Sequence, residues 1–330
     1  MEFIELNNSE KILTRSLYEE AFFEDSKKFV DFYYKQIQNN RVFVCKEDDE
    51  IISMIHLHPM TIKFRNIKFD TYYIIAVATQ KLYRKRGIYA RLLRYTLNVL
   101  DVEKVPIVFL MPAKEEIYKP FNFETLVKFN SSIITRNDKS YDFESLNLEN
   151  KSQIKLLSEK YLDCYIDRND EYIDTQIDCL EAMDGAYYFV KQQEKYVGYL
   201  RYVGEEKFIL DVVCEPAIEE DIVSSFANYM NFEKIKVDLM KNAENNDNKT
   251  NKYMYRIINL EAFIDLIKEI DYSKIDEIHN IKLIDNLIES NNKSINCIEN
   301  TQIQQMNISD FLIEILKRYK IKPPFIHEVI

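Results

Sequence analysis

Glycine is scarce in this chain, with 4 among 330 residues, and tryptophan is absent. Gly87 is the only glycine in the first 184 residues. In a composition this poor in glycine, we expect a remaining glycine to serve a backbone need, such as a positive φ or the close approach of a ligand. The scarcity also excludes two phosphate-binding motifs, because neither G-x-x-x-x-G-K nor G-x-G-x-x-G occurs in the sequence.

Paired cysteines and long apolar runs are also missing. The 5 cysteines lie far apart and include no C-x-x-C pair, which argues against a disulfide framework or a zinc site. No apolar run reaches the roughly 18 residues that a membrane helix needs, and the first residues are acidic, unlike a signal peptide. We therefore expect a cytoplasmic protein that uses no metal and has no membrane partner.

Basic residues are in the minority. Lys and Arg total 44 against 55 Asp and Glu, so the formal net charge is −11. A general nucleic-acid binder needs a basic face to meet phosphates, and this balance argues against one. Because an acidic protein attracts amines, the charge favours a cationic or neutral small molecule as the partner.

The first part of the chain contains a series of helix and strand patterns. They are a helical region over 10–38, a hairpin from Val42–Cys45 and Ile51–Leu57, a strand pair around 61–64 and 68–73, a buried central strand at Tyr73–Thr79, a helix from Gly87 to about Leu100 with the apolar stripe Ile88, Leu92, Tyr95 and Val99, a strand over 106–111, a short helix with Tyr118, and a last strand. This order predicts an α+β or α/β fold around a mixed, mostly antiparallel sheet with flanking helices.

The pattern partly recurs later in the chain, which predicts an internal duplication. The second set comprises strands at Ala186–Val190, Tyr196–Tyr202 and Phe208–Val213 and a helix that ends at about Met230. Polar stretches over 137–152 and 242–252 indicate a linker and a boundary. The predicted domains are therefore 1–135, 136–250 and 251–330, the last a small α+β domain.

The segment from Val77 to Gly87, V-A-T-Q-K-L-Y-R-K-R-G, joins the buried strand to the amphipathic helix. Arg84, Lys85 and Arg86 make it basic in an otherwise acidic protein. The start of a helix suits an anion, because its first N–H groups are free to donate hydrogen bonds and the helix dipole is positive there. A glycine at this point leaves room for the anion to approach the backbone. We expect a phosphate or pyrophosphate at 84–90. The alternative is a solvated basic loop, although basic residues at a helix start oppose the dipole.

This segment resembles the acetyl-CoA-binding motif of the GNAT acetyltransferases, whose usual form is R/Q-x-x-G-x-G/A. The corresponding residues run from Arg84 to Tyr89, and Tyr89 replaces the last small residue. Downstream, Ile117-Tyr118-Lys119-Pro120-Phe121-Asn122-Phe123 resembles the I-Y-x-x-F-G-F/Y segment of the enhanced-intracellular-survival (Eis) branch. That branch combines a GNAT domain, a degenerate GNAT domain and a sterol-carrier-protein-like C-terminal domain, in agreement with the three predicted domains.

The resemblance implies acetyl-CoA as co-substrate and a homo-oligomer, a hexamer in that branch. The cofactor-binding residues that it implies are Val77, Ala78, Thr79, Arg84, Lys85, Arg86, Gly87, Ile88, Tyr89, Ala90, Ala113 and Lys114. It also implies that Tyr118 is the general acid for the departing CoA thiolate and that the C-terminal carboxylate, here on Ile330, is the base. The alternatives are that Tyr118, one of 23 tyrosines, is a packing residue and that Ile330 only caps a core or an interface.

Other residues give weaker indications. His56 and His58 alternate along a strand and share a face, which suits a metal pair. The resemblance instead implies that this strand lies near the acceptor pocket, where a histidine could contact an amine. The resemblance implies that Phe22, Phe23 and Glu24 lie near the acceptor pocket. In the second copy the helix start is Cys214-Glu215-Pro216-Ala217-Ile218-Glu219-Glu220-Asp221, without glycine and rich in acids. We therefore expect the second domain not to bind CoA.

Together these features predict an acetyl-CoA-dependent N-acetyltransferase that acts by direct attack of a primary amine. The expected acceptor is small and cationic, such as an aminoglycoside, a polyamine or a lysine-like amine. Two alternatives stay open at this point. One is a non-catalytic acyl-CoA sensor that keeps the Arg84–Gly87 loop, and the other is an interaction protein whose C-terminal domain binds a lipid or a partner.

Overall fold

The structure is a computed structural model that describes residues 1–239, 250–270, 281–295 and 304–319. Its strands are β1 (Glu2–Glu5), β2 (Arg41–Glu47), β3 (Glu50–Phe64), β4 (Ile67–Thr79), β5 (Ile107–Leu110), β6 (Glu124–Thr135), β7 (Asp142–Ser145), β8 (Cys164–Ile166), β9 (Ala186–Gln192), β10 (Lys195–Val203), β11 (Phe208–Cys214), β12 (Lys234–Leu239), β13 (Thr250–Ile257), β14 (Ile281–Ile284), β15 (Ser294–Ile295) and β16 (Gln304–Asn307). Its α-helices are α1 (Arg15–Ala21), α2 (Lys27–Gln36), α3 (Ile88–Val102), α4 (Glu115–Tyr118), α5 (Ser152–Tyr161), α6 (Asp170–Ala182), α7 (Glu219–Tyr229), α8 (Leu260–Ile270) and α9 (Ile308–Tyr319).

The described residues form two compact units. The first contains those of 1–25, 34–127 and 252–323, and the second those of 26–33 and 128–251. The described residues after 252 thus group with the N-terminal sheet. The division into three domains with boundaries after 135 and 250 stays a prediction.

The sheet of the first unit has the strand order β1-β2-β3-β4-β5-β13. Neighbours are antiparallel except for β4 and β5, which run parallel. The predicted hairpin is present, with Asp48 and Asp49 at φ 50° and 66° in its two-residue turn. Positive φ at both central residues is the geometry of a tight β-hairpin turn, which Asp tolerates better than most residues. A smaller sheet, β15-β14-β16, belongs to the same unit.

Two details of the N-terminal part of the chain correct the sequence-based expectations. The strand pair predicted around 61–64 and 68–73 is part of the longer strands β3 and β4, which also contain the predicted strands Ile51–Leu57 and Tyr73–Thr79. Pro59 is accommodated within β3 because the pairing with β2 ends at Leu57, so its missing N–H costs no hydrogen bond to that strand. The helical region over 10–38 is interrupted between α1 and α2, where the Ser26 hydroxyl accepts the Phe29 N–H at 3.2 Å.

The core of the first unit lies between α3 and the sheet. Leu92, Leu93, Leu97 and Leu100 are at most 1% exposed and pack with residues of β2, β3 and β5. Burial of so many apolar side chains fixes the helix, because each fully buried leucine contributes about 1.5–3 kcal/mol. The predicted stripe was partly wrong, since Tyr95 and Val99 are only half-buried.

The second unit repeats this plan. Its strand order is β6-β12-β11-β10-β9-β7, and β11 and β12 are the parallel neighbours. The β9–β10 turn again has two residues at positive φ, Gln193 and Glu194. Residues of α5 and α6 join one apolar cluster and residues of α7 another. The order of β9, β10, β11, α7 and β12 matches β2, β3, β4, α3 and β5, as expected for a duplicated fold. The predicted linker over 137–152 was partly wrong, because it contains β7.

Across the described residues, no helix combines the length and apolar character needed to cross a membrane.

Candidate functional site

The parallel strands β4 and β5 separate near the middle of the first unit. They pair only from Tyr72 to Ile74, opposite Val108 to Leu110, where β5 ends. β4 continues to Thr79, and Ala76 has φ 47° at a point where the register with β3 shifts. Such a bulge bends its strand and ends regular pairing. The last residues of β4 therefore present backbone groups toward the side that β5 has left.

A basic loop follows the end of β4. The side chains of Arg84, Lys85 and Arg86 are exposed, and Lys85 has φ 63°. The Arg84 Nε donates to the Thr79 carbonyl oxygen at 2.9 Å, which closes the loop on the end of the strand. The guanidinium carbon of Arg86 lies 5.1 Å from the ring centroid of Tyr83. These contacts hold two cationic side chains beside the start of α3.

Gly87 immediately precedes α3 and has φ 70°, a left-handed conformation. No heavy atom lies within 4 Å of the position that a Cβ would occupy, so the backbone is open to a ligand there. The first turn of α3 contains no acidic residue and receives no capping side-chain hydrogen bond. The first N–H groups of a helix have no acceptor within it, and successive N–H groups in such a turn form a concave anion site. This geometry suits a phosphate or pyrophosphate.

The structure brings most of the predicted cofactor-binding residues to one edge of the sheet. Residues 77–79 end β4, residues 84–90 form the loop and the start of α3, and Ala113 and Lys114 follow β5, exposed. The carboxyl ends of neighbouring parallel strands meet at the same edge, where ligands commonly bind in α/β sheets. Ile88 can contribute only backbone groups, because its side chain is 1% exposed and packs with Cys45 and Ile52.

Tyr118 ends α4 and is 7% exposed. Its ring lies edge-on to Tyr89, with centroids 6.0 Å apart, and 5.9 Å from the ring of Phe123. Burial raises the pKa of Tyr118 to about 12, and the nearby Tyr89 hydroxyl partly offsets this rise. The two phenols influence each other electrostatically, but the buried Tyr89 hydroxyl makes no hydrogen bond of acceptable geometry within the described residues. The predicted acid thus lies against the first turn of α3.

The carboxyl end of α1 lies beside the same loop. The Glu20 carboxylate accepts the Lys81 N–H at 3.1 Å. Glu19 and Glu24 are exposed nearby in the sequence, and Phe23 is 78% exposed. Sequence reasoning named Phe22, Phe23 and Glu24 in this region but missed Glu20 and the role of Arg84 in closing the loop. Neither residue has a sequence signal, because each contact joins segments that only the fold brings together.

The two histidines of β3 are buried to different extents. His56 is fully buried, and burial lowers its pKa to about 3. His58 is half-buried, its Nδ1 lies 2.7 Å from the Asn40 Oδ1, and burial lowers its pKa to about 4. Both rings are therefore neutral near pH 7. No cluster of three or more His, Cys, Asp or Glu side chains suited to a metal occurs in the described part of the chain.

Ile330, the predicted base, lies outside the described residues, and its role stays a prediction.

The comparisons with known proteins agree with this geometry. Residues 2–126 match the family model of the acetyltransferase (GNAT) domain. No curated protein matches the sequence of the chain. The fold resembles that of a probable N-acyltransferase from Enterococcus faecalis V583, with a TM-score of 0.74, 14% identity and coverage of 97% of this chain and 92% of that one.

Two further solved structures share the fold. A GCN5-related N-acetyltransferase from Anabaena variabilis ATCC 29413 has a TM-score of 0.69 at 16% identity, with coverage of 98% of this chain and 99% of that one. Eis1 from Mycobacterium abscessus has a TM-score of 0.62 at 11% identity, with coverage of 94% and 88%. At such low identity these likenesses concern the fold. Together with the family match they support an acetyltransferase, and the chain carries a GNAT acetyltransferase domain at residues 2–126.

Proposed function

We propose that this protein transfers an acetyl group from acetyl-CoA to a primary amine of a small cationic acceptor. One observation carries the proposal. β4 separates from β5 and leads through a basic loop into a helix start that has a left-handed glycine and no acid in its first turn. GNAT domains in general use acetyl-CoA, and its pyrophosphate fits an N–H-lined, cationic helix start.

The residues present would suit the pyrophosphate and the pantetheine of the co-substrate. Backbone N–H groups at residues 87–90 and the side chains of Arg84 and Lys85 would hold the pyrophosphate. The free edge of β4 at Val77 to Thr79 would hold the pantetheine by backbone hydrogen bonds. Acetyl-CoA supplies the acetyl group in activated form, as a thioester. Catalysis by this chain then rests mainly on holding the two reactants in the correct orientation.

Tyr118 would stabilise the sulfur of the leaving group. Because burial raises the pKa of Tyr118 to about 12, the phenol keeps its proton at neutral pH and could donate a hydrogen bond to the sulfur. Transfer of that proton to a thiolate is initially uphill, because an ordinary thiol has a pKa of about 8.5. The positive charge that the attacking amine acquires would lower the phenol's pKa and favour the transfer. Hydrogen-bond donation therefore comes first, and proton transfer follows as the amine attacks.

The acceptor class follows from charge. The carboxylate of Glu20 lies beside the loop that follows β4, and the exposed Glu24 follows α1 in the sequence, whereas Glu19 is paired with Arg15 at 2.8 Å. Carboxylates there would attract an ammonium group, while the cationic loop is directed at the co-substrate. The net charge of −11 acts in the same direction over longer distances. Aminoglycosides, polyamines and lysine-like amines share this chemistry.

We also propose membership of the Eis-like branch, with a sterol-carrier-protein-like C-terminal part. The likeness to Eis1 and the small sheet β15-β14-β16 in the tail support this assignment. A homo-oligomer and a cytoplasmic location stay predictions, which sedimentation velocity and cell fractionation would test. The base proposed from the resemblance is the Ile330 carboxylate. Residues added after Ile330 would remove that carboxylate, so tags at either end give a direct comparison of kcat/KM.

The decisive experiment measures CoA thiol release from acetyl-CoA with spermidine, an aminoglycoside and a lysine peptide. We expect turnover with at least one amine and none with Gly87→Glu. Tight CoA binding without turnover of any amine would favour the acyl-CoA sensor instead. Absence of CoA binding to the folded protein would reject the whole proposal.

A further inference from the structure

A buried Arg–Asp pair lies behind the turn that carries Tyr118. Arg256 on β13 is 0% exposed and Asp285, which follows β14, is 2% exposed. The Arg256 Nη2 donates to both carboxylate oxygens of Asp285, at 2.8 and 3.0 Å. Both residues belong to the first unit.

The pair holds the two residues that end this turn. The Arg256 Nη1 donates to the Phe121 carbonyl oxygen at 2.5 Å. The Asn122 Nδ2 donates to the Asp285 Oδ1 at 3.2 Å. Asn122 itself has φ 58°, and its N–H donates to the Lys119 carbonyl oxygen at 3.0 Å. Phe121 and Asn122 follow Tyr118 within four residues, so these bonds fix the backbone that aims the phenol.

Asp285 is itself fixed from its own segment. The Leu287 N–H donates to its Oδ1 at 3.0 Å, and the Asn291 Nδ2 donates to its Oδ2 at 2.9 Å. Ile288 is 2% exposed and packs in the same apolar cluster as Tyr118 and Phe121. Hydrogen bonds and packing therefore hold the segment around Asp285 against the turn.

We propose that the Arg256–Asp285 pair is a positioning device for the phenol of Tyr118, an inference that rests on the proposed function. A buried ion pair contributes little net stability compared with apolar side chains of similar volume, because desolvation offsets the attraction. In contrast, the directional bonds from its two Nη atoms, to the Asp285 carboxylate and to the Phe121 carbonyl oxygen, fix the orientation of the guanidinium. The Nε of Arg256 is buried and has no hydrogen-bond partner among the described residues. The bonds to Phe121 and Asp285 therefore orient the guanidinium even though one of its N–H donors makes no hydrogen bond.

The second unit supplies a matched control. Arg201 and Asp211 form another buried pair, 1% and 2% exposed, with Nε and Nη2 bonds of 2.8 and 3.0 Å to the carboxylate. Asp285→Asn and Asp211→Asn each leave a buried arginine uncompensated without a change of shape. We expect Asp285→Asn to lower kcat by as much as about 100-fold, because a displacement of the phenol by about 1 Å can have an effect of this size. The Kd for CoA should stay within about twofold of the wild-type value. Asp211→Asn should lower the melting temperature comparably and leave kcat unchanged.

A double-mutant cycle with Tyr118→Phe tests whether the pair acts through the phenol. If it does, adding Asp285→Asn to Tyr118→Phe lowers kcat no further. The positioning role would be overturned if the losses of kcat in the two single variants added in the double variant, if Asp285→Asn left kcat unchanged, or if Asp211→Asn lowered kcat equally. In each case the role of Tyr118 as proton donor would be unaffected. If Tyr118→Phe alone retains kcat, the acid assignment fails first, and the positioning role with it.

A milder variant keeps the test valid if Asp285→Asn does not fold. Asn122→Gly removes one hydrogen bond to Asp285 and retains the left-handed backbone, which glycine adopts at no steric cost. We expect a several-fold loss of kcat with unchanged CoA affinity, and no further loss in the Tyr118→Phe background. Full activity of Asn122→Gly, or a loss that persists in that background, would contradict the proposal.

Discussion

The starts of α3 and α7 occupy the same place in the two units, yet they have opposite chemistry. Each helix follows a strand and precedes that strand's parallel neighbour. α3 begins after a left-handed glycine and has no acid in its first turn. α7 begins after Ile218 at φ −110°, and its first turn contains Glu219, Glu220 and Asp221. The α7 acids can interact with the helix dipole within the chain, whereas the start of α3 has no such acid and is the proposed site of an external anion.

The comparison shows how few residues distinguish the proposed binding site from a structural helix start. In the second unit the Lys139 Nζ contacts the Asp221 carboxylate at 2.6 Å, so cation and anion both come from the chain. In the first unit Arg84 and Lys85 are exposed cations beside a helix start that carries no acid. A duplicated fold can therefore retain its strands, turns and helix while only one copy retains the features of the proposed anion site.

The largest expected effect comes from giving α3 the chemistry of α7. Gly87→Glu places a carboxylate at the helix start and forces a side chain into φ 70°. We expect CoA binding to become undetectable by calorimetry while circular dichroism shows a folded protein. Gly87→Asn is the control, since asparagine tolerates the left-handed region and is neutral. Unchanged CoA affinity in Gly87→Glu would mean that the two helix starts do not differ in function.

The second-largest effect is expected on the chemical step that follows CoA binding in the first unit. Tyr118→Phe removes the proposed proton donor and should lower kcat about 10²–10⁴-fold, with CoA affinity nearly unchanged. Tyr89→Phe removes a neighbouring hydroxyl that makes no hydrogen bond in the described structure and serves as a comparison. A kcat within about twofold of the wild type in Tyr118→Phe would reduce Tyr118 to a packing residue.

The pKa of Tyr118 adds a pH test. Burial raises this pKa to about 12, so the phenol stays protonated as pH rises to about 10. Because an acid acts in its protonated form, kcat should show no alkaline fall that is due to Tyr118 below that pH. A fall near pH 9 that disappears in Tyr118→Phe would show that the phenol ionises much earlier and would contradict the assigned environment.

The sequence predicted some of these features for identifiable physical reasons. Gly87 was found because glycine is scarce, and the hairpins because strand and turn residues are adjacent in the chain. The bulge at Ala76 could not be predicted, because alanine has no preference for a positive φ. Arg256 and Asp285 are 29 residues apart in the sequence, and Arg256 also donates a hydrogen bond to the Phe121 carbonyl oxygen. Such a cluster depends on packing between distant segments, which local patterns do not encode.

A smaller effect should follow from loosening the basic loop. Arg84→Gln removes both a cation and the bond from Nε to the Thr79 carbonyl oxygen. Loss of a hydrogen bond to a charged group costs about 1.5–3 kcal/mol, so we expect CoA affinity to fall about tenfold at this exposed position. Added salt should weaken CoA binding to the wild type more than to the variant, because screening acts on exposed charges. A wild-type affinity that does not change with salt would contradict the electrostatic role.

The smallest expected effect is on α7, and it tests the other half of the comparison. Glu219→Gln and Glu220→Gln remove charge from the first turn without changing shape, and each should cost about 0.3–1 kcal/mol at low salt, since each acid interacts with the helix dipole. Thermal unfolding of the double variant measures this loss, and added salt should reduce it.

CoA affinity and kcat should not change, because α7 still lacks a left-handed glycine and an adjacent basic loop. An unaltered melting temperature would show that these acids do not satisfy the dipole. A second CoA equivalent bound by the variant would show that the acids alone had kept the second unit from binding.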